Sequence, residues 1–133
     1  MIFRCYSDIN EKIFWALYPC INFGENITWE QWHKKIPLYI FHTDYEKLLK
    51  EYVIKIYPIR DPTDNKVVET FDPCFDNWIG KEDWNKIING IKNKLQGNNK
   101  QPPKLEREFY NNFLEWIEKE LEWADIIVID SNL

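Results

Sequence analysis

The chain has few cysteines, glycines and histidines, and each shortage argues against a class of protein. Its 133 residues include three cysteines, four glycines and two histidines. Cys5, Cys20 and Cys74 are an odd number without Cys-x-x-Cys spacing, which argues against a disulfide framework and against a structural zinc site. We therefore expect these residues to be packing thiols in a reducing compartment.

Long hydrophobic runs are also missing. Arg4 and Asp8 interrupt the short apolar run at the start of the sequence. The other apolar runs are far shorter than the ~20 residues that a membrane helix requires. The sequence therefore predicts no signal peptide, no membrane as a partner and a cytoplasmic location.

Motifs for catalysis or cofactor binding are lacking as well. His33 and His42 are the only histidines, whereas a metal site needs three or four converging ligands. Asp61, Asp64, Asp72 and Asp76 could serve as paired carboxylates, but two of them, Asp61 and Asp64, lie in a predicted turn, where Asp is favoured for its hydrogen bonds to nearby backbone. No glycine-rich phosphate-binding loop occurs. We therefore expect no catalytic residue, no cofactor, no metal and no enzymatic activity.

Aromatic residues, in contrast, are abundant, at 17% of the chain with seven Trp, seven Tyr and eight Phe. Trp and Tyr are enriched at the centres of protein interfaces, because they bring large apolar area together with a polar tip. The composition therefore fits either surface rings that bind a partner or a core built from rings instead of aliphatic side chains.

Charge in the second half of the chain is arranged in three blocks. Residues 69–84 carry five acidic residues against Lys81 alone, and residues 85–104 carry five lysines and no acid. Residues 105–125 carry seven acidic residues against Arg107 and Lys119. Clustered charge steers encounters and discourages wrong partners, so the pattern predicts a surface for charge-selective contact with another macromolecule.

Local patterns predict five strands. Residues 2–6 and 12–18 are ring-rich apolar runs, the second ending before a proline. Residues 53–60 and 66–71 are β-prone and flank a cluster of turn formers, which predicts a hairpin. Residues 125–130 include a short continuous apolar run, which is typical of a buried strand.

Four helices are predicted, two short and two long. Thr28 and Thr43 each begin a capping box, and the helix that starts at Thr28 should end before Pro37. One long helix has the apolar stripe Trp84, Ile87, Ile88, Ile91 and Leu95, and ends at Gly97. The other has the stripe Leu105, Phe109, Phe113, Trp116, Ile117 and Ala124. The sequence therefore predicts a single α+β domain over residues 1–133, with a mostly antiparallel sheet, two long C-terminal helices packed on it and a final buried strand.

The predicted partner-binding residues come from the two acidic blocks. Four glutamates of the last helix project within about 80° of one another, opposite its apolar face, and form a negative ridge. These are Glu108, Glu115, Glu118 and Glu122. The block 69–84 contributes Asp72, Asp76, Trp78, Glu82 and Asp83. Glu120 instead projects into the apolar sector, so we expect it to be buried with a Tyr, Arg or Lys partner.

The stretches from Phe71 to Trp84, FDPCFDNWIGKEDW, and from Trp123 to Asp130, WADIIVID, complete the picture of a small, acidic, ring-rich domain. In this overall character the chain resembles the immunity proteins that protect bacteria from the toxin domains of contact-dependent and other polymorphic toxin systems. The resemblance implies binding and inhibition of one cognate toxin domain, often a basic nuclease. Immunity proteins share no common motif, so no functional residue is carried over from them.

Two alternatives remain open at this point. A small enzyme or ligand-binding domain would use a ring-lined pocket. A nucleic-acid adaptor would use the lysines of residues 85–104, although the pI of about 5.1 lies far from the basic range of such modules. We therefore expect no nucleic acid as a partner.

Overall fold

A five-stranded sheet lies at the centre of the computed structural model, which describes residues 1–21, 36–61, 66–74, 76–97 and 101–133. Its strands are β1 (Ile2–Phe3), β2 (Phe14–Cys20), β3 (Leu38–Phe41), β6 (Asn77–Gly80) and β7 (Ile126–Ser131), in the spatial order β1-β3-β2-β7-β6. Only the β1–β3 pair is parallel, so the predicted mostly antiparallel sheet is confirmed. β4 (Ile59–Arg60) and β5 (Val67–Val68) form a separate antiparallel pair.

One face of the sheet is covered by the helices. Successive side chains of a strand point to opposite faces, and on β2 and β7 this alternation directs Trp15, Leu17, Ile127 and Ile129 into the main core. β7 lies between β2 and β6, and its four apolar residues are all buried. The predicted final buried strand is therefore confirmed.

β2 continues past the point where the sequence predicts its end. It runs through Pro19 to Cys20, and Pro19 lies opposite Ile127 on β7. The described pairing with β3 ends at Leu17 opposite Leu38, so Pro19 lies beyond that ladder. Proline is tolerated where its missing N–H is not needed for strand pairing.

The helical segment that follows β3 changes its winding several times. α1 (His42–Asp44) is followed by a π-helical stretch (Tyr45–Leu49), α2 (Lys50–Val53) and a 3-10 turn (Ile54–Ile56). The predicted helix is therefore present, but the capping box at Thr43 is wrong. The helix begins one residue earlier, and the Thr43 N–H donates instead to Glu11 Oε1 at 2.7 Å. The helix predicted at Thr28 lies outside the described residues.

Asp44 joins this helical segment to the chain that follows β1. Its side chain is fully buried and accepts hydrogen bonds from the backbone N–H groups of Cys5 at 2.8 Å and Tyr6 at 2.6 Å. A third bond comes from the Ser7 hydroxyl at 2.7 Å. Three donors thus converge on one buried carboxylate, which makes Asp44 a structural residue.

The predicted hairpin is confirmed only for the residues close to its turn, where β4 pairs with β5 over two residues in each strand. Residues 53–56, which we expected to open its first strand, are helical because they continue the preceding helix, and Val53 at the end of that helix is buried in the core. Packing therefore outweighs the β-propensity of these residues. The turn residues 62–65 lie outside the described part of the chain.

Both long helices are present and pack on the sheet, as predicted. α3 (Lys81–Gln96) buries Trp84, Ile87, Ile88 and Ile91, and Gly97 follows its last residue. α4 (Lys104–Glu120) buries Phe109, Phe113, Trp116 and Ile117. The apolar stripe of α4 is shorter than predicted, because Leu105 is 60% exposed and Ala124 lies beyond the helix end.

Rings provide much of the core and tie its layers together. Trp84 of α3 donates its indole N–H to the carbonyl of Ile127 on β7, at 3.1 Å. Tyr110 of α4 donates its hydroxyl to the carbonyl of Leu48, at 2.8 Å. Both side chains are almost completely buried. Part of the aromatic excess therefore builds the core, and the single α+β domain predicted from the sequence is confirmed.

The three cysteines are free thiols. Cys20 is buried, Cys5 is half-buried and Cys74 is exposed. In the part of the chain that the structure describes, no helix combines the length and the apolar character needed to cross a membrane.

Candidate functional site

Asp72 lies in a tight turn that is anchored to the sheet. Its carboxylate accepts the backbone N–H of Cys74 at 2.9 Å. The buried amide of Asn77 accepts the Asp72 N–H and donates to the carbonyls of Asp72 and Ile129, at 2.9 to 3.2 Å. The Asp72 carboxylate is thus occupied in shaping its own turn.

Asp76 and Trp78 are both half-buried. Burial, together with the nearby carboxylates of Asp130 and Asp61, raises the pKa of Asp76 above its ordinary value. Trp78 packs on the second face of the sheet against a small cluster that contains Cys20, Ile126 and Val128. These two predicted site residues therefore lie partly inside the protein.

Glu82 and Asp83 lie in the first turn of α3, where negative side chains complement the helix dipole. Asp83 also forms an ion pair with Lys86 at 3.3 Å. Glu82 is exposed and has no ion pair within the described residues. Of the predicted residues in the block 69–84, Glu82 is the one that presents an uncompensated carboxylate to solvent.

The predicted ridge on α4 is present in part. Glu108 and Glu115 are exposed on the helix, and neither forms an ion pair with another described residue. Glu118 differs, because Lys92 of α3 approaches it to 2.7 Å. Glu122 is exposed but lies in the turn that follows the helix end at Glu120, so its assignment to the helical ridge is wrong. We call Glu108 and Glu115 on α4, together with Glu122 in the turn that follows it, the α4 carboxylates.

A groove of about 820 Å³ lies beside Glu115. It is lined by Met1, Phe3, Ile36, Asn112, Glu115, Trp116, Lys119 and Glu120. Met1 is 59% exposed and Ile36 is 79% exposed, which is unusual for large apolar side chains. The groove therefore places exposed apolar surface next to an uncompensated carboxylate.

Glu120, at the inner side of this groove, is buried, as predicted. The indole N–H of Trp123 donates to its carboxylate at 2.7 Å. The expectation of an internal partner is confirmed, and the partner that the structure describes is an indole, which was not among the predicted partners. This hydrogen bond fixes the turn that carries Glu122.

A second cavity, of about 410 Å³, is lined by aromatic residues that are far apart in the sequence. We call it the ring cavity, and its aromatic residues are Trp15, His42, Tyr45, Tyr57 and Phe71. The ring of Trp15 stacks on Tyr45 with centroids 4.1 Å apart and lies 5.3 Å from Phe71. These residues come from distant parts of the chain, so only their number, and not their grouping, could be read from the sequence.

Polar groups of the ring cavity lie at its edge. The Trp15 indole N–H donates to His42 Nδ1 at 3.2 Å, which leaves the neutral imidazole proton on Nε2. That nitrogen faces Glu46 at 3.9 Å, and Glu46 also binds Lys50 at 3.1 Å. Glu69, at the same edge, is exposed and without an ion pair in the described part of the chain.

The hydroxyls of the ring cavity stay protonated near neutral pH. Burial raises the pKa of Tyr45 well above its ordinary value, and the neighbouring Tyr57 and Glu46 raise it further. Burial also raises the pKa of Tyr57, whose hydroxyl donates to Asn77 Oδ1 at 3.0 Å. These two hydroxyls are therefore poor acids and bases near neutral pH.

Among the described residues, no group of three or more His, Cys, Asp or Glu side chains is placed so that it could hold a metal ion.

Comparison with known proteins gives no match: no family model, no curated protein and no solved structure is similar to this chain.

Proposed function

We propose that this protein binds and neutralises a cognate bacterial toxin domain in the cytoplasm, and that the partner docks on the α4 carboxylates and the adjoining groove. The observation that carries the proposal is the side-by-side placement of uncompensated carboxylates and exposed apolar side chains. Interfaces combine an apolar centre, in which a few anchors supply most of the binding energy, with a polar or charged rim. Met1, Ile36 and Glu115 provide these two elements here.

The extent of the surface favours a macromolecular partner. Glu108 and Glu115 are seven helical positions apart, which corresponds to roughly 10 Å along α4 at 1.5 Å per residue, and Glu122 lies beyond the helix end. The groove adds apolar surface beside Glu115. Carboxylates spread along this length, together with the groove, fit within a protein interface of ordinary size, about 1,600 Å².

The charge of the surface indicates the chemistry of the partner. Carboxylates that form no ion pair with a described residue attract a basic surface, and the active site of a nuclease is basic because it binds phosphates. In the proposed complex the α4 carboxylates take the place of those phosphates. The same charge disfavours nucleic acid as a direct partner.

Three of the lysines that could have suggested nucleic-acid binding form ion pairs within the described part of the protein. Lys86, Lys92 and Lys94 pair with Asp83, Glu118 and Glu51, respectively, at 2.7 to 3.5 Å. Paired cations contribute less to phosphate binding than free ones, because the pair must first be broken. This pairing supports a protein partner over an RNA or DNA partner.

Co-expression tests the proposed function. The protein would be produced in a bacterial host together with the C-terminal domain encoded by the reading frame immediately upstream, since toxins and immunity proteins are usually encoded side by side. We expect that domain to stop growth when expressed alone, and this protein to restore growth and to co-elute with it in one complex. A harmless neighbouring domain, or growth arrest that persists while this protein accumulates in folded form, would contradict the proposal.

A further inference from the structure

The ring cavity is separate from the α4 carboxylates, and nothing in the proposed inhibition of a toxin uses it. Its lining comes from β2, the helical segment that follows β3, and the chain between β5 and β6. At about 410 Å³ it falls within the range of small-ligand sites, roughly 300–1,000 Å³. We propose that the ring cavity binds a small planar organic cation of the amidinium or guanidinium type.

The geometry of the rings suits a flat guest. Tyr45 and Phe71 are nearly parallel, at 24°, with centroids 5.8 Å apart. Tyr57 meets Phe71 edge-on at 85° with centroids 5.9 Å apart. Phe71 and Tyr57 are half-buried, so the cavity has two ring walls at right angles over a buried floor that includes Trp15. A planar group can stack on one wall while its edge meets the other.

The charge of the cavity favours a positive guest. The face of an aromatic ring is electrostatically negative and attracts cations. Glu46 and Glu69 add two carboxylates to the edge, and Lys50, the one lysine among the described lining residues, is already bound to Glu46 at 3.1 Å. Glu69 therefore keeps an uncompensated negative charge close to Phe71. A guest with a delocalised positive charge satisfies both the rings and this carboxylate.

An unsatisfied hydroxyl supplies a second, independent observation. Tyr45 is 2% exposed, and its hydroxyl has no hydrogen-bond partner in the described structure. A buried polar group without a partner is unfavourable and is rare in folded proteins. Tyr45 lines the ring cavity, so a nitrogen-rich guest that settles on these rings brings N–H donors close to that hydroxyl.

Titration with three molecules of equal shape tests the charge preference. Benzamidine is positive at neutral pH, benzamide is neutral and benzoate is negative. Isothermal titration calorimetry on the wild-type protein should show benzamidine binding at least about tenfold more tightly than benzamide, with benzoate weakest. Equal affinity for all three molecules, or no binding of benzamidine at millimolar concentration, would overturn the proposal.

Two variants test whether the named residues are responsible. Phe71→Leu keeps an apolar side chain but removes the ring, and Glu69→Gln removes only a charge at an exposed position. Each should weaken benzamidine binding by about 3- to 10-fold. Phe41→Leu and Glu51→Gln are the matched controls, because both residues lie outside the cavity. Full benzamidine affinity in both cavity variants would overturn the assignment, and Glu69→Gln remains informative even if Phe71→Leu fails to fold.

The source of the cation is distinguished by a further probe, N-acetylarginine methylamide. Tighter binding of benzamidine than of this probe indicates a free aromatic cation as the ligand, whereas the reverse order indicates an arginine side chain presented by another protein. Both orders support a cation site. Because the probes are small molecules and the test needs no toxin domain, failure of the toxin hypothesis leaves this result unaffected.

Discussion

Replacing Asp44 with alanine is expected to lower the free energy of unfolding by about 3–5 kcal/mol, because the change leaves three buried or half-buried donors without an acceptor. The donors are the N–H groups of Cys5 and Tyr6 and the hydroxyl of Ser7. Each unsatisfied buried group costs about 1–3 kcal/mol, and a domain of this size is stable by only about 5–15 kcal/mol. The variant should therefore be close to the limit of folding.

Urea unfolding at neutral pH, followed by tryptophan fluorescence, measures this loss. Asp83→Ala is the matched control, since Asp83 is a partly exposed carboxylate that forms a single ion pair with Lys86. Its loss should cost no more than about 1 kcal/mol. If the two variants unfold at the same urea concentration, Asp44 does not hold the chain after β1 in place, and this part of the account is wrong.

Reversing the α4 carboxylates together, by Glu108→Lys, Glu115→Lys and Glu122→Lys, is expected to slow association with the toxin domain by about 10- to 100-fold at low ionic strength. The three side chains are exposed and form no ion pair with another described residue, so their charge acts on an approaching partner without first breaking an internal pair. The effect should shrink at 1 M salt, where charges are screened beyond about 3 Å. Stopped-flow fluorescence at several salt concentrations measures the rate.

Single reversals provide the control for this experiment. Glu115→Lys, next to the groove, should slow association several-fold. Glu69→Lys makes the same change at another exposed and unpaired carboxylate, on the edge of the ring cavity, and should leave the rate nearly unchanged. Glu118 is unsuitable as a probe because Lys92 already compensates it. Equal rates for the wild type and the triple variant would remove α4 from the interface.

The helices and the last strand could be predicted because their signals are local. The apolar stripes that contain Trp84 and Phe109 have helical spacing within one segment of the chain, and they become buried wherever that helix packs on a neighbouring layer. β3 and β6 were missed because each has only four residues and depends on partners far away in sequence, β6 on β7 and β3 on β2. Strand pairing of this kind is not encoded in any short window.

The capping box at Thr43 shows how tertiary contacts override a local signal. Glu11 accepts the Thr43 N–H that a capping side chain would have satisfied, so the helix begins at His42. A tertiary contact also changed one of the predicted partner-binding residues, Glu118. Lys92 reaches Glu118 from the neighbouring helix, which helical spacing along α4 does not reveal.

The ring cavity illustrates the limit of prediction for a binding site. Its rings lie between Trp15 and Phe71 in sequence, and they meet only because β2 packs against the helical segment and the chain after β5. The high aromatic content left open whether some rings have a role beyond the core, and it did not indicate which ones. Glu120, by contrast, could be predicted to be buried because its position on one helix face is a local property.

Carboxylate labelling of the complex tests the central claim most directly. Carbodiimide-mediated coupling of glycine ethyl ester, followed by mass spectrometry, reports the accessibility of each exposed carboxylate in the free and the bound protein. We predict that labelling of Glu108, Glu115 and Glu122 falls sharply when the toxin domain binds, while Glu69 is labelled to the same extent in both states. Unchanged labelling of the three α4 carboxylates in a fully formed complex would contradict the account.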